Sequence, residues 1–387
     1  MKMLFLTEKF PPSEGGSRIY YYYLCINYSI GDVIVLTKKI ERYKEFDKKQ
    51  KFKIIRKGKP LENWKYYQLP RTLPYLFWAF YLAFKEKIDV IHCGDFFPGG
   101  VIGLILKILL RKPYIYYVHG EAVRWFKQYP YQHKIFRLIL KNAARVVAAS
   151  CYAEEGLRRD YGLNSQKVIK ITPGVEYPKF NPEWIDIGLI RNLSVEKKNI
   201  ILTIARLVEI KGQDTVIRAM PRIIKEIPDA IYIVAGRGSY EDKLRHLVAE
   251  LNLEKHVMFV GFVPIEKVSN LYSICDLFVM INRETAREGP DGCPTVFIEA
   301  SAAGKPVVGG RSGGTADCIL DGITGYRVDP VNVEEVASYI IRLLKDEELR
   351  KTLGKNGREW VVKNFNWGER ARQLERLNMS IFQNKSA

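Results

Sequence analysis

The sequence predicts an α/β protein of two doubly wound domains, each a parallel sheet covered by helices on both faces. Three observations carry this prediction. Short apolar runs alternate with helix-length segments in both halves of the chain, the pattern of buried parallel strands and their crossover helices. The alternation breaks over 171–182, where Pro and Gly punctuate a dozen residues without periodicity, which marks a linker. The chain of 387 residues, 47% hydrophobic and 27% charged, is long enough for each half to bury its own core, and it excludes a disordered chain or a disulfide mini-scaffold.

The first half opens on a strand over 2–7, a turn-rich segment over 10–17 (FPPSEGGS) and a helix from about Arg18. Strands follow over 32–37, 90–93, 114–119 and 145–149, with helical stretches between them. In the second half, strands over 199–205, 230–235, 257–260, 277–281 and 306–309 alternate with helices over 214–227, 240–251, 265–273 and 295–303. The expected domains are therefore 1–175 and 176–365. In such sheets the ligand crevice lies beyond the carboxyl ends of the strands. Two domains facing one another would form a cleft suited to a nucleotide-containing substrate.

Charge is unevenly spread. The chain carries a formal +18, and residues 1–180 hold 32 basic and 15 acidic side chains against 29 and 28 in the remainder. The basic half is suited to an anionic partner: nucleic acid, a membrane surface or a phosphorylated substrate. The six cysteines are scattered and form no CxxC pair, so they read as reduced thiols in a cytoplasmic protein rather than a zinc site or a disulfide framework. The apolar run after Met3 ends at Thr7, too short for a signal peptide core, so export is not expected. The oily stretches 73–84 (LPYLFWAFYLAF) and 101–110 (VIGLILKILL) fall short of the roughly 20 residues a spanning helix needs. With its aromatic residues beside Lys85 and Lys87, 73–84 has the composition of an interfacial helix, and equally of a helix covering the sheet.

Four strand ends of the second half bear polar or glycine-rich sequence. Arg206 and Lys211 flank a short loop after a strand, so a guanidinium fork and an ammonium can converge on one diphosphate, or stand as solvated surface cations. Gly236-Arg237-Gly238 and the run 309–315 (GGRSGGT) can present backbone N–H groups to a phosphate, or serve only as tight turns. Asp291 in a loop and Glu299 in the first turns of the next helix can bind sugar hydroxyls, or can be a turn residue and a carboxylate favoured by the helix dipole.

In this order and spacing, 205–214 (ARLVEIKGQD), 236–240, 276–281, 291–308 and 312–330 (SGGTADCILDGITGYRVDP) resemble family 4 of the retaining glycosyltransferases, which have the GT-B fold of two Rossmann-like domains facing a cleft. Pro11 to Gly16 and Val118-His119-Gly120 resemble the family's N-terminal motifs. The resemblance implies transfer of a sugar from a nucleotide-diphosphate donor, GDP-mannose or a UDP-sugar, to a hydroxyl of a lipid-linked acceptor or growing polysaccharide, with retention of configuration. Arg206 and Lys211 would hold the diphosphate, Glu299 the ribose, and Asp291 the donor sugar. Gly15 and Gly16 would approach the donor phosphates, His119 the reacting sugar, and Gly261, Phe262 and Val263 the base. Gly236, Thr295 and Val296 complete the implied donor site, and His119, Arg206, Lys211 and Asp291 are the implied catalytic set. The family's habit of crossing back implies that a last helix, 366–387, returns to the first domain.

One departure is Asp291, where the family has the first Glu of an E-x7-E pattern; either the loop moves in or Glu288 shares the role. No DxD metal motif is present, so no metal and no cofactor is expected. The rival readings are a basic nucleic-acid-binding protein, against which no helix-turn-helix, zinc-finger or RNP-like motif is found, and a sugar-nucleotide epimerase or phosphorylase of the same fold. The basic first domain adds the expectation of peripheral docking on the anionic inner face of the cell membrane, with a lipid-linked acceptor and no nucleic-acid partner.

Overall fold

The computed structural model describes residues 1–13, 15–57, 73–285 and 289–386. It divides into two compact units, one of residues 1–173 with 367–387 and one of residues 174–366. Sorted this way, the first unit carries 35 basic and 16 acidic side chains and the second 26 and 27.

The first unit runs β1 (Met3–Leu6), α1 (Gly16–Ile26), β2 (Val33–Thr37), α2 (Tyr43–Lys48), β3 (Lys53–Arg56), α3 (Leu73–Lys85), β4 (Val90–Cys93), α4 (Val101–Leu110), β5 (Tyr114–Val118), α5 (Gly120–Trp125), α6 (Pro130–Asn142), β6 (Arg145–Ala148), α7 (Cys151–Tyr161) and β7 (Val168–Lys170). The second contains α8 (Ile187–Leu193), β8 (Asn199–Ile204), α9 (Gln213–Glu226), β9 (Ala230–Ala235), α10 (Glu241–Glu250), β10 (Val257–Gly261), α11 (Val268–Ile274), β11 (Leu277–Met280), α12 (Thr295–Ala302), β12 (Val307–Gly310), β13 (Gly325–Val328), α13 (Val333–Lys345) and α14 (Glu347–Asn364). The last helix, α15 (Trp367–Ser386), belongs to the first unit.

Both sheets are wholly parallel among the described residues, in the orders β3-β2-β1-β4-β5-β6-β7 and β10-β9-β8-β11-β12-β13. Their central strands are buried on both faces, which is why MLFL and AIYIVA read as unbroken apolar runs. Alternate residues of β1 serve the two layers: Leu4 and Leu6 pack with α3, α4, α6 and α7, whereas Met3 and Phe5 pack with α1 and α15. Tyr23 stacks on Trp367 at 5.0 Å, and Leu374, Leu377 and Ile381 complete that layer.

The structure adds strands that the apolar alternation did not mark. β3, β7 and β13 lie at sheet edges, where one side is unpaired and polar residues are tolerated, so KIIR, VIK and GYRV lack the continuous apolar signature. The strand ends otherwise fall within a residue or two of the expected positions. The stretches 73–84 and 101–110 form α3 and α4, and among the described residues no helix is long and apolar enough to cross a membrane. α3 is two-faced: Tyr75, Ala79, Leu82 and Ala83 are buried, while Leu73, Phe77, Phe80, Tyr81 and Phe84 are exposed.

Candidate functional site

In the second unit the expected residues gather at the carboxyl ends of β8, β9, β10 and β12 and the start of α12. β8 ends at Ile204, and the chain turns at Arg206 into a short 3-10 turn that places Lys211. Buried Gln213 props the turn by donating from Nε2 to the Arg206 carbonyl at 3.1 Å. The Arg206 side chain is exposed and makes no hydrogen bond or ion pair among the described residues.

Lys211 and Asp291, 80 residues apart in sequence, meet directly. The Lys211 ammonium donates to both Asp291 carboxylate oxygens at 2.6 Å, and the two side chains are only 12% and 17% exposed. A cation expected at a diphosphate and a carboxylate expected at a sugar are thus one charge-paired unit. Glu288 lies outside the described residues.

The glycines of the 309–315 run explain how the Asp291 loop is held. A side-chain carbon on Gly314 would stand 1.9 Å from the Gly292 carbonyl oxygen, and one on Gly313 would stand 2.2 Å from that of Asp291. Gly314 N–H also donates to the Asp291 carbonyl at 2.9 Å. These glycines let two backbones touch, and this N–H is spent inside the protein rather than facing a phosphate. Gly236 behaves alike, with the Ala205 carbonyl oxygen 1.9 Å from where its side chain would begin, and its N–H donates to the Gly261 carbonyl at 2.7 Å. Gly261, exposed Phe262 and half-buried Val263 follow at the end of β10.

On α12, Thr295 and Val296 are half-buried in the first turn and Glu299 lies one turn further in. Glu299 accepts from Tyr272 OH at 3.1 Å and from Thr295 Oγ1 at 3.4 Å. Burial pushes its carboxyl above the usual range, and the two hydroxyl donors pull the other way. Sequence reasoning missed Tyr272, which comes from α11. It also missed the approach of Cys293 and Cys318, free thiols whose sulfurs are 3.5 Å apart beside the Asp291 loop.

In the first unit, His119 follows β5 and caps α5. Its Nε2 lies 2.7 Å from Tyr21 OH, and Tyr21 gives its own proton to the Gly94 carbonyl, so Nε2–H donates to Tyr21 and Nδ1 is left as an acceptor. Burial, with Lys9 nearby, pushes this imidazole down to about 3, so it is neutral at physiological pH. Gly15 precedes α1, and open space lies where a side chain on Gly16 would project. Near this edge Glu8, absent from the sequence reading, follows β1. Its N–H donates to Asp95 at 2.6 Å, Lys38 stands 3.6 Å from its carboxylate, and its Oε1 has no hydrogen-bond partner among the described residues. Burial and the Asp95 charge, opposed by Lys38, push Glu8 up to about 7. Its position directly after an apolar strand was the available signal. Among the described residues no group of three metal-ligating side chains occurs.

Residues 15–177 match the family model described as Glycosyltransferase Family 4, and residues 190–360 match that described as Glycosyl transferases group 1. The chain is similar to the GDP-mannose-dependent alpha-(1-6)-phosphatidylinositol monomannoside mannosyltransferase of Mycolicibacterium smegmatis, at 28% identity over 97% of both chains. It is 31% identical to the protein of the same description from Mycobacterium tuberculosis, over 76% of each chain. Among solved structures it is similar to Anabaena HepE in complex with UDP and glucose, with a TM-score of 0.82 at 20% identity, covering 98% of this chain and 100% of that one. It is also similar to the sucrose-phosphate synthase of Thermosynechococcus elongatus, with a TM-score of 0.82 at 23% identity over 99% of both chains. These structural likenesses establish the fold: two Rossmann-like α/β units of the GT-B type.

Proposed function

We propose, starting from the fact that this chain belongs to glycosyltransferase family 4, that it moves a hexose from a nucleotide-diphosphate sugar to a lipid-linked or polysaccharide hydroxyl with retention of configuration and without a metal. Glycosyl transfer itself follows from the family; the donor, the acceptor and the stereochemistry are the proposal. The observation that carries it is the Lys211–Asp291 pair, in the same unit as exposed Arg206 and half-buried Glu299.

When the glycosidic bond breaks, negative charge develops on the leaving diphosphate, and a fixed cation is worth most where charge develops. Arg206, without a protein partner among the described residues, supplies a planar fork for phosphate oxygens. Lys211 supplies a point charge whose direction Asp291 fixes, leaving Asp291's remaining lone pairs for a sugar hydroxyl. Glu299, oriented by Tyr272 and Thr295, accepts from the ribose hydroxyls. Gly236, Gly261, Phe262, Val263, Thr295 and Val296 shape the rest of the nucleotide site. In the first unit, the open space at Gly16, which follows Gly15 at the start of α1, is assigned to donor phosphates, and neutral His119 offers a hydrogen-bonding edge to the reacting sugar.

The relatives named above favour GDP-mannose and a phosphoinositide glycolipid acceptor. The basic first unit and the exposed aromatic face of α3 favour peripheral docking on the anionic cytoplasmic leaflet, each nearby Lys or Arg adding about 1 kcal/mol. The test offers radiolabelled GDP-mannose and UDP-glucose with a membrane lipid extract in EDTA, and reads the product anomer by NMR. Retained configuration and persistence in EDTA are expected. An inverted product, or loss of turnover restored by a divalent cation, refutes the mechanism.

A further inference from the structure

The first unit has a groove of about 690 Å³ far from the residues discussed so far, between α6 and the turn from α7 to β7. It lies beside the amino ends of β6 and β7, whereas His119 and Gly15 stand at the carboxyl edge of the same sheet. Lys134, Arg137, Lys141 and Lys167 line it together with Leu138 and Leu163, and no carboxylate does. Lys134, Arg137 and Lys141 make no ion pair among the described residues.

Helix capping explains one of these cations. Lys167 donates from Nζ to the carbonyls of Lys141 and Ala143 at the end of α6. Even so it sits among like charges: burial first, then Arg145 and Lys107, lower its affinity for a proton. Capping accounts for none of the other three. The helices α3, α4 and α6 contain no Asp or Glu at all, and on α7 Glu154 pairs with Arg158 and Asp160 with Lys127 and Arg159, not with the groove cations. α4 packs against α3 and α6, and its Lys107 is close enough for its charge to be felt by Lys167; the next two residues, Ile108 and Leu109, are 67% and 63% exposed, and Leu138 on the groove wall is 51% exposed.

We propose that this groove is a binding site for the phosphate headgroup of an anionic phospholipid, with Ile108, Leu109 and Leu138 seated at the level of its acyl chains. A free phosphate compound would satisfy the cations, but it would leave those aliphatic side chains in water. Lipid satisfies both, because a headgroup phosphate is anchored to an apolar phase at fixed distance. The inference deepens the membrane reading above by giving it a second, defined contact at the opposite edge of the sheet from the reacting groups.

The test compares sedimentation of the full chain with phosphatidylcholine vesicles with and without phosphatidylglycerol, using Arg137→Ala/Lys141→Ala and, as an equal charge change elsewhere in the unit, Lys48→Ala/Lys49→Ala. All four side chains are exposed, and unchanged melting of both variants establishes that they fold. The groove variant should bind phosphatidylglycerol vesicles roughly 30-fold more weakly than wild type, from about 1 kcal/mol per cation, and the control variant much less so. Glycerol 3-phosphate should not displace the vesicles at concentrations where short-chain phosphatidylglycerol does.

Equal losses in the two variants would mean diffuse attraction and overturn the site, as would wild-type binding that survives the groove substitutions. Efficient displacement by glycerol 3-phosphate would make it a site for a soluble phosphate compound instead. Failure of the wild type to bind phosphatidylglycerol vesicles at low salt takes down the docking reading together with the site. Turnover on a water-soluble acceptor, which neither variant should alter, reports separately on glycosyl transfer.

Discussion

Removing either member of the Lys211–Asp291 pair should damage donor use through the other. Two charge-assisted hydrogen bonds at 2.6 Å join side chains that are 12% and 17% exposed, so solvent weakens the pair only partly. A contact of this kind is worth about 2 kcal/mol, which is about 30-fold in kcat/KM. Asp291→Ala frees the Lys211 ammonium to swing away from its fixed direction, and Lys211→Ala removes the charge while leaving the carboxylate unpaired. If the two act as one device, the double variant should be scarcely worse than the worse single one, with a coupling of about 2 kcal/mol. The assay is initial-rate kinetics with the preferred donor for wild type, both singles and the double. Losses that simply multiply, giving a coupling below about 0.5 kcal/mol, would refute the claim that Asp291 positions Lys211.

Three further outcomes follow from the geometry. Arg206→Ala should lower kcat/KM about a hundredfold, about 3 kcal/mol, and change stability by no more than about 0.5 kcal/mol because the side chain is exposed; the paired readout is initial rates and thermal melting. Glu8 has its folded value raised from 4.5 to about 7, so the stability it contributes is fully present below its unfolded value and is lost as pH rises through about 7. The loss is about 3 kcal/mol, and urea melts at acid and neutral pH should show a slope that Glu8→Gln flattens; identical slopes would contradict the assignment. Gly314→Ala places a carbon 1.9 Å from the Gly292 carbonyl oxygen, so about 2 kcal/mol of stability and much of the donor turnover should go together, whereas a fully active, stable variant would show that the clamp is dispensable.

The sequence spoke most plainly where physics is local. A parallel strand buried on both faces needs an apolar run, and β1, β4, β9 and β12 declare themselves by composition alone. The edge strands do not, because KIIR and GYRV pair on one side only, where polar residues are tolerated. The site divides in the same way. Arg206, Lys211, Asp291 and Glu299 were visible as residue types at strand ends, but which of them touch depends on chain approach over long separations. Nothing near Lys211 in sequence announces Asp291, and nothing near Glu299 announces Tyr272. The glycines 313 and 314 admitted either a phosphate reading or a tight turn, and the structure uses them to press two loops together.

The descent of α15 back onto the first unit has a consequence for how the protein is made. Its Trp367, Leu374, Leu377 and Ile381 complete a layer whose other residues, Tyr20, Tyr21 and Leu24, emerge from the ribosome near the beginning of synthesis. About 190 residues of the second unit must be translated in between, so the first unit waits roughly 10–40 s, at bacterial and eukaryotic rates alike, with one apolar flank uncovered. The second unit is contiguous and can close before it. The usual order, in which the N-terminal domain folds first, is thereby reversed for its final step. A stop codon just before Trp367 should leave a chain whose first unit has every strand of its sheet yet is prone to aggregate.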